Sequence, residues 1–320
     1  MDIIIATAVF LFGLTFGSFL NVCIYRIPRA LPEESPDESA IKTALASIAA
    51  WRSVASPSRS FCPHCEQPIH WYDNIPVLSW LILRGRCRHC RKPIAFRYAA
   101  VELLTGLLFL ASYAQFGLTL EMLKYCVFAF LLIALIFTDA EHKLLPDSYT
   151  LPGVILGLVF AWFVPVNDVA TRFLTAEWRM LSLLDALLGA AAGAAFIFGS
   201  GMIYKLARGR EGMGLGDVKL MAMAGAFLGV KLTVFTIFGA SLIGAVFGLA
   251  MMPWVWIKRT RRRMKRNREP GPIARRRAWE SAKLMRYYAM PFGVFLGSVA
   301  LLAVFFGNAL LRWYWDRFVA

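Results

Sequence analysis

Long apolar stretches separated by short polar ones dominate the chain. Eight of them approach or exceed the length needed to cross about 30 Å of hydrocarbon as helices: roughly 3–24, 98–116, 121–138, 149–166, 181–204, 217–230, 233–257 and 289–311. The sixth is the shortest and carries Lys219, but its Ala, Gly and Met residues suit close helix contact inside a bundle. The pattern predicts an all-α polytopic membrane protein of about eight transmembrane helices. The first stretch, opening Met1-Asp-Ile-Ile-Ile, has no basic n-region and no small-residue cleavage site after it, so it reads as a retained helix.

Composition agrees: 58% hydrophobic and 17% charged residues exclude an ordinary soluble enzyme. The basic residues set the orientation, because cytoplasmic loops carry the excess of Lys and Arg. Segments 25–97, 139–148, 205–219 and 258–288 hold 29 of the 35 Lys and Arg, which places both termini outside and the ends bearing Asp139 and Asp217 at the cytoplasmic face. The net charge of +15 then needs no nucleic acid. The basic run beginning at Lys258 faces anionic lipid headgroups instead, at roughly 1 kcal/mol per basic residue near the surface.

The expected organisation is a first transmembrane helix (1–24), a cytoplasmic domain (25–97), a transmembrane bundle (98–311) with a basic cytoplasmic loop (258–288), and a short outer tail (312–320). Within the cytoplasmic domain, 29–60 is rich in Pro, Ser, Glu and Ala and reads as a variable insert with a short amphipathic helix at Glu38–Arg52. From Phe61 the character changes. Cys62-Pro-His-Cys65 and Cys87-Arg-His-Cys90, 21 residues apart, are two knuckles whose thiolates converge on one tetrahedral four-cysteine zinc site in a small unit spanning 61–93. A cytoplasmic loop is reducing, which favours zinc over disulfides. Four thiolates leave no open coordination position, so the site is structural. His64 and His89 read as solvated spacers, and Cys23 and Cys126 as packing residues within apolar runs.

Acidic residues at helix ends carry the candidate chemistry, because a carboxylate kept near a membrane segment pairs, titrates or catalyses. In Asp139-Ala-Glu-His-Lys-Leu-Leu-Pro-Asp147 three carboxylates compete: Asp139, Glu141 and Asp147. Asp217 follows a Gly-rich segment, with Gly214 and Gly216 allowing close backbone approach at a helix start, where it could equally be a cap. Aspartic proteolysis needs two carboxylates close enough to share a proton. Two helix-end aspartates far apart in sequence meet that need if their helices pack side by side, whereas Asp139 and Glu141 at i, i+2 point to different sides.

These features together resemble the type IV prepilin peptidases, the bifunctional leader peptidases and N-methyltransferases of pilus and type II secretion systems. The resemblance rests on Phe16-Gly-Ser-Phe-Leu-Asn-Val22 with Arg26 and Pro28, the two Cys pairs, and Asn74-Ile-Pro-Val-Leu-Ser-Trp80. It continues through Arg97-Tyr98, Val101-Glu-Leu-Leu-Thr-Gly106, Asp139 to Asp147, Glu211-Gly-Met-Gly-Leu-Gly-Asp-Val-Lys219 and Met290-Pro-Phe-Gly293. It implies a membrane aspartic peptidase of the Gly-x-Gly-Asp type, with Asp139 and Asp217 as the catalytic pair. The implied substrates are prepilins or pseudopilins cut after the Gly that ends a basic leader, at the cytoplasmic face of a bacterial inner membrane. The new amino terminus would then be methylated from S-adenosylmethionine.

Supporting roles fall on Gly214, Gly216, Lys219 and Asp147. Lys219 reads most simply as a side chain snorkelling to the interface, and Asp147 as a reserve catalytic candidate or the N-cap of the fourth helix. Glu102 either pairs with Arg97 or contacts substrate. No Gly-x-Gly-x-x-Gly after a strand marks a methyl-donor site. The resemblance associates methylation with Gly17, Ser18, Phe19, Asn21 and the Cys62–Cys90 region. The rival reading is a noncatalytic membrane scaffold or transporter in which the zinc module binds partners and the aspartates form a polar helix contact or proton relay. The lack of charge at the middle of the best-defined helices disfavours an ion path.

Overall fold

The computed structural model describes residues 2–31, 46, 49–55, 60–166, 178–209, 212–266, 271–284 and 291–318. The described architecture is all-helical. Helix α1 (Ile3–Ala30) opens on Asp2, whose carboxylate caps the Ile4 N–H, and it continues through Pro28 beyond the apolar run. Helices α2 (Arg97–Phe116) and α3 (Leu120–His142) follow, then α4 (Asp147–Phe163) and α5 (Trp178–Arg208). Next come α6 (Leu215–Arg266), α7 (Gly271–Leu284) and α8 (Phe292–Leu302), the last continuing through a π turn at Ala303–Gly307 into α9 (Asn308–Phe318). Among the described residues six helical segments are long and apolar enough to cross a membrane, with α4 a shorter apolar helix beside them.

The sixth and seventh predicted runs are the two arms of α6, divided at Gly229, where φ of 72° and ψ of 178° leave the helical region. A Cβ placed on Gly193 would sit 2.7 Å from the Met221 carbonyl and 3.0 Å from Thr233. Twelve residues of straight helix would separate those two by about 18 Å, so the chain reverses at Gly229, a turn that an L side chain would strain. The Val230 N–H that the break exposes donates to Asp185 on α5, at 3.2 Å. The first arm, 215–228, is sheathed by its neighbours: Met221, Met223, Ala224, Ala226, Phe227 and Leu228 are all fully buried. A helix of about 21 Å therefore forms the centre of the bundle, and its small residues admit α5 closely, with Gly189 placing its Cβ position 2.6 Å from the Gly225 carbonyl.

The basic segment 258–288, expected as a loop, is helical over much of its described length. The second arm of α6 runs on to Arg266, and α7 folds back on it through a T-shaped Trp256–Trp279 contact and a Trp256 indole N–H to Arg275 carbonyl bond of 3.1 Å. The outer tail is likewise helical as far as Phe318. Most of the insert, including most of Glu38–Arg52, lies outside the described residues. Its end forms one helical turn at Arg52–Ala55, held by Arg26 donating to the Val54 carbonyl at 2.9 Å. Trp51 reaches across to α4, donating to the Ser148 carbonyl at 3.1 Å and meeting Tyr149 edge-on.

Candidate active site and metal centre

The two Cys-x-x-Cys segments fold as a structural repeat offset by 25 residues. Phe61 bridges Pro68 as Arg86 bridges Pro93. The Cys62 N–H donates to the Gln67 carbonyl at 3.0 Å as the Cys87 N–H donates to Lys92 at 2.9 Å, and Glu66 and Arg91, each following the second cysteine, take positive φ of 58° and 59°. Each knuckle curls its backbone around a sulfur pair. The four Sγ atoms of Cys62, Cys65, Cys87 and Cys90 lie within 4.8 Å of one another, with Cys62 and Cys90 3.9 Å apart. Zn–S bonds of about 2.3 Å in a tetrahedron require S···S distances near 3.8 Å, and no two of these thiols are joined. The donor set fits a metal ion. Backbone N–H groups of Cys90 and His89 pull the Cys87 thiol down to about 7, toward the thiolate a metal needs. His64 and His89 are exposed, as expected of spacers.

At the bundle's polar end, packing resolves the competition among carboxylates. Glu141 pairs with Arg97 at 2.7 Å, tying the end of α3 to the start of α2. Of the two readings open for Glu102, pairing with Arg97 is therefore not the one seen. Asp147 is not the cap of α4, since Pro146 holds that position and no side chain caps it. Its carboxylate instead receives both hydrogen bonds from the Lys219 ammonium, each 2.7 Å. Lys219 therefore does not snorkel to the interface. It clasps the start of α6 to the start of α4, because a buried carboxylate two helices away offers it a better partner than water.

Asp139 is held differently. It is 5% exposed, and its Oδ2 accepts the Val294 N–H at 3.0 Å, in the first turn of α8. Pro291, at the N-cap of α8, contributes no side-chain cap, so Asp139 supplies an acceptor and negative charge to a helix start that lacks both. Gly293 makes the approach feasible, as a Cβ there would lie 2.8 Å from Asp139 Oδ2 and 3.0 Å from Leu145. The same Leu145 lies 2.9 Å from the Cβ position of Gly216, so one leucine is wedged between the starts of α8 and α6. Asp217, in the first turn of α6 and half-buried, is close enough to Asp139 for their charges to interact. Gly214 has open space around it. Two carboxylates, one from α3 and one from α6, thus lie near enough for their charges to interact, as a pair that shares a proton requires.

The third group of residues divides. Gly17 is a helix contact, its Cβ position 2.6 Å from the Glu102 Cα, and Phe19 stacks on Phe130 at 6.3 Å between centroids. Ser18 and Asn21 instead face Glu102, and Asn21 also donates to the Tyr98 carbonyl at 2.9 Å. Glu102 accepts the Val77 N–H at 2.7 Å across the junction of the Cys unit and the bundle. The sequence left Glu102 open. The Asn74-Ile-Pro-Val77 turn that fixes it gave no local signal beyond Pro76.

Two family models match the chain: the bacterial peptidase A24 N-terminal domain over residues 11–116, and the type IV leader peptidase family over residues 126–249. A prepilin leader peptidase/N-methyltransferase of Aeromonas hydrophila is 34% identical, the alignment covering 97% of this chain and 94% of that protein. The chain belongs to the type IV leader peptidase family. Proteins of the same description from Myxococcus xanthus and Neisseria gonorrhoeae are 41% and 38% identical, over 77% and 75% of this chain and 63% and 79% of theirs. No solved structure matches it. The boundary between the two matched family regions, 117–125, separates α2, which carries Glu102, from the body of α3, which carries Asp139.

Proposed function

We propose that this protein is a membrane aspartic endopeptidase that removes the basic leader of type IV prepilins or type II secretion pseudopilins and then N-methylates the new amino terminus. Asp139 and Asp217 are the catalytic pair. The observation that carries the reading is their meeting at the end of the bundle where the basic loops gather, while Glu141 and Asp147 are engaged by Arg97 and Lys219. The excess of basic residues in the adjoining segments supports placing that end at the cytoplasmic face, in a bacterial inner membrane with lipid headgroups around the basic helices.

A carboxylate pair sharing one proton works by division of labour. The ionised member takes a proton from water as the oxygen attacks the scissile carbonyl, and the protonated member donates to the carbonyl oxygen. Collapse of the tetrahedral species breaks the C–N bond as a proton passes to the leaving amine. The backbone N–H of Val294 keeps Asp139 oriented throughout. Cys62, Cys65, Cys87 and Cys90 would hold a structural zinc ion that fixes the two knuckles to each other. S-adenosylmethionine supplies the methyl group of the second reaction. Gly214 leaves room beside the dyad, Gly216 admits Leu145 against the start of α6, Lys219 and Asp147 brace it, and Ser18 and Asn21, with Gly17 and Phe19 packing behind them, belong to the methylating side.

The test is cleavage of a prepilin in membranes carrying wild type, Asp139→Asn, Asp217→Asn or Asp147→Asn. The first two variants should abolish cleavage and the third retain it. Cleavage that survives in Asp139→Asn or Asp217→Asn rejects the dyad, and a wild type that cuts no prepilin returns the scaffold or transporter reading.

A further inference from the structure

A cavity of about 390 Å³ lies between the Cys unit and the inner ends of α1 and α2, separate from the aspartate dyad. Its size falls in the range of small-molecule sites, roughly 300–1,000 Å³. The lining is divided by chemistry. Trp80, Leu83 and Ile75 supply apolar surface, Glu102 and Asn21 supply polar groups, and Arg26 and Lys92 supply positive charge.

Two features point to a ligand. Glu102 brings a carboxylate into this largely enclosed space without an Arg or Lys partner among its recorded contacts, its Oε2 accepting the Val77 N–H at 2.7 Å with Ser18 and Asn21 alongside. A carboxylate has about four acceptor positions, and burying one without full pairing costs stability. Asn21 is 5% exposed, yet its Oδ1 has no hydrogen-bond partner. Asn21 Oδ1 awaits a donor, and Glu102 keeps acceptor capacity beyond Val77, Ser18 and Asn21.

Val77 shows that the carboxylate is deliberately aimed. Its φ of 61° and ψ of −48° are outside the regions a β-branched residue ordinarily occupies. Such a backbone persists only where the surroundings over-determine it, and this one serves to direct an N–H at Glu102.

Resting on the N-methylation reading above, we propose that this cavity is the binding site of the methyl donor, S-adenosylmethionine, and that Glu102 is the anionic anchor for its cationic end. The donor carries an ammonium and a sulfonium for Glu102, a carboxylate for the basic lining at Arg26 and Lys92, hydroxyl and amine donors for Asn21, and an adenine ring for the apolar surface at Trp80. Tyr98, which lines the cavity, neighbours Arg97, and Arg97 pairs with Glu141 two residues from Asp139, so a short run of residues joins the two sites.

The experiment is equilibrium binding of S-adenosylmethionine to the purified, zinc-loaded full chain in detergent, by titration calorimetry, with zinc content measured on the same samples. Wild type should bind. Glu102→Gln, which keeps the Val77 contact but removes the charge, should weaken binding about tenfold or more, and should weaken S-adenosylhomocysteine, which lacks the sulfonium, less. Leu83→Trp, which fills the cavity, should remove measurable binding. As a reading independent of any variant, the donor should slow amide exchange in segment 74–83 of the wild type. A wild type that binds and methylates, with an unchanged Kd in Glu102→Gln or with unprotected 74–83 amides, overturns this site and leaves N-methylation standing. A wild type that neither binds the donor nor methylates prepilin overturns N-methylation, and this inference with it.

Discussion

Removing the Lys219 ammonium isolates the clasp between α4 and α6. Lys219→Met keeps the length and apolar stem of the side chain but leaves Asp147, whose side chain is 8% exposed, without the cation that gives it two 2.7 Å hydrogen bonds. Breaking a fully buried pair by deleting one partner costs about 3–5 kcal/mol, whereas an exposed pair is worth about 0–1 kcal/mol. Lys219 is 39% exposed, so water replaces part of what is lost, and the expected cost is about 1–3 kcal/mol between those limits. Asp147→Asn should cost less, because a neutral amide tolerates burial and can still accept from the ammonium. In the double variant no unpaired charge remains buried, so its loss should fall below the sum of the singles by about 1 kcal/mol or more. The assay is unfolding in mixed micelles by SDS, followed by tryptophan fluorescence, for all four members of the cycle, together with prepilin cleavage. Additive losses would refute the pairing argument. So would an Asp147→Asn variant that unfolds like wild type but cleaves nothing, since Asp147 would then act in the reaction itself.

Three further outcomes are expected. Gly293→Ala places a Cβ 2.8 Å from Asp139 Oδ2 and should lower kcat at least tenfold with wild-type insertion, while Gly248→Ala, with open space around it, should be silent in the same cleavage assay. Cys62→Ser or Cys87→Ser should release zinc and expose the 61–93 unit to protease, and unchanged metal content in the purified variants would reject the four-cysteine site. The Arg88 guanidinium, in a bidentate pair at 2.6–2.7 Å, holds the Asp73 carboxyl below its ordinary value. The stabilisation it gives is complete above the unfolded value of about 3.9 and is lost only as pH falls through the lowered folded one. Zinc release between pH 7 and 5 should therefore follow thiolate protonation and show the same midpoint in Asp73→Asn as in wild type; an acid-shifted or alkaline-shifted midpoint in that variant would contradict this.

Much of the molecule is legible along the chain because the physics is local. A bilayer demands uninterrupted apolar length, so α1, α2, α3, α5 and α8 stand out by hydropathy alone. A Cys-x-x-Cys pair curls around its own sulfurs, so Cys62, Cys65, Cys87 and Cys90 could be matched before any contact was known. Asp139 and Asp217 could be singled out because carboxylates at apolar helix ends are costly. Other features depend on which helix ends meet, and no local pattern contains that. Asp139, Glu141 and Asp147 look alike in sequence. Only packing gives the first to the N-terminus of α8, the second to Arg97 and the third to Lys219. The reversal at Gly229, which buries a short helix at the centre of the bundle, and the turn at Val77, which aims an N–H at Glu102, are likewise decided by tertiary contact. A single glycine or a positive φ means little until the surface that requires it is in place. The sequence of this chain determined that it folds as membrane helices with a four-cysteine appendage, because burial and thiolate chemistry act over a few residues. Which carboxylates are braced and which face each other was settled by the fold, because electrostatic partners are chosen by distance in space.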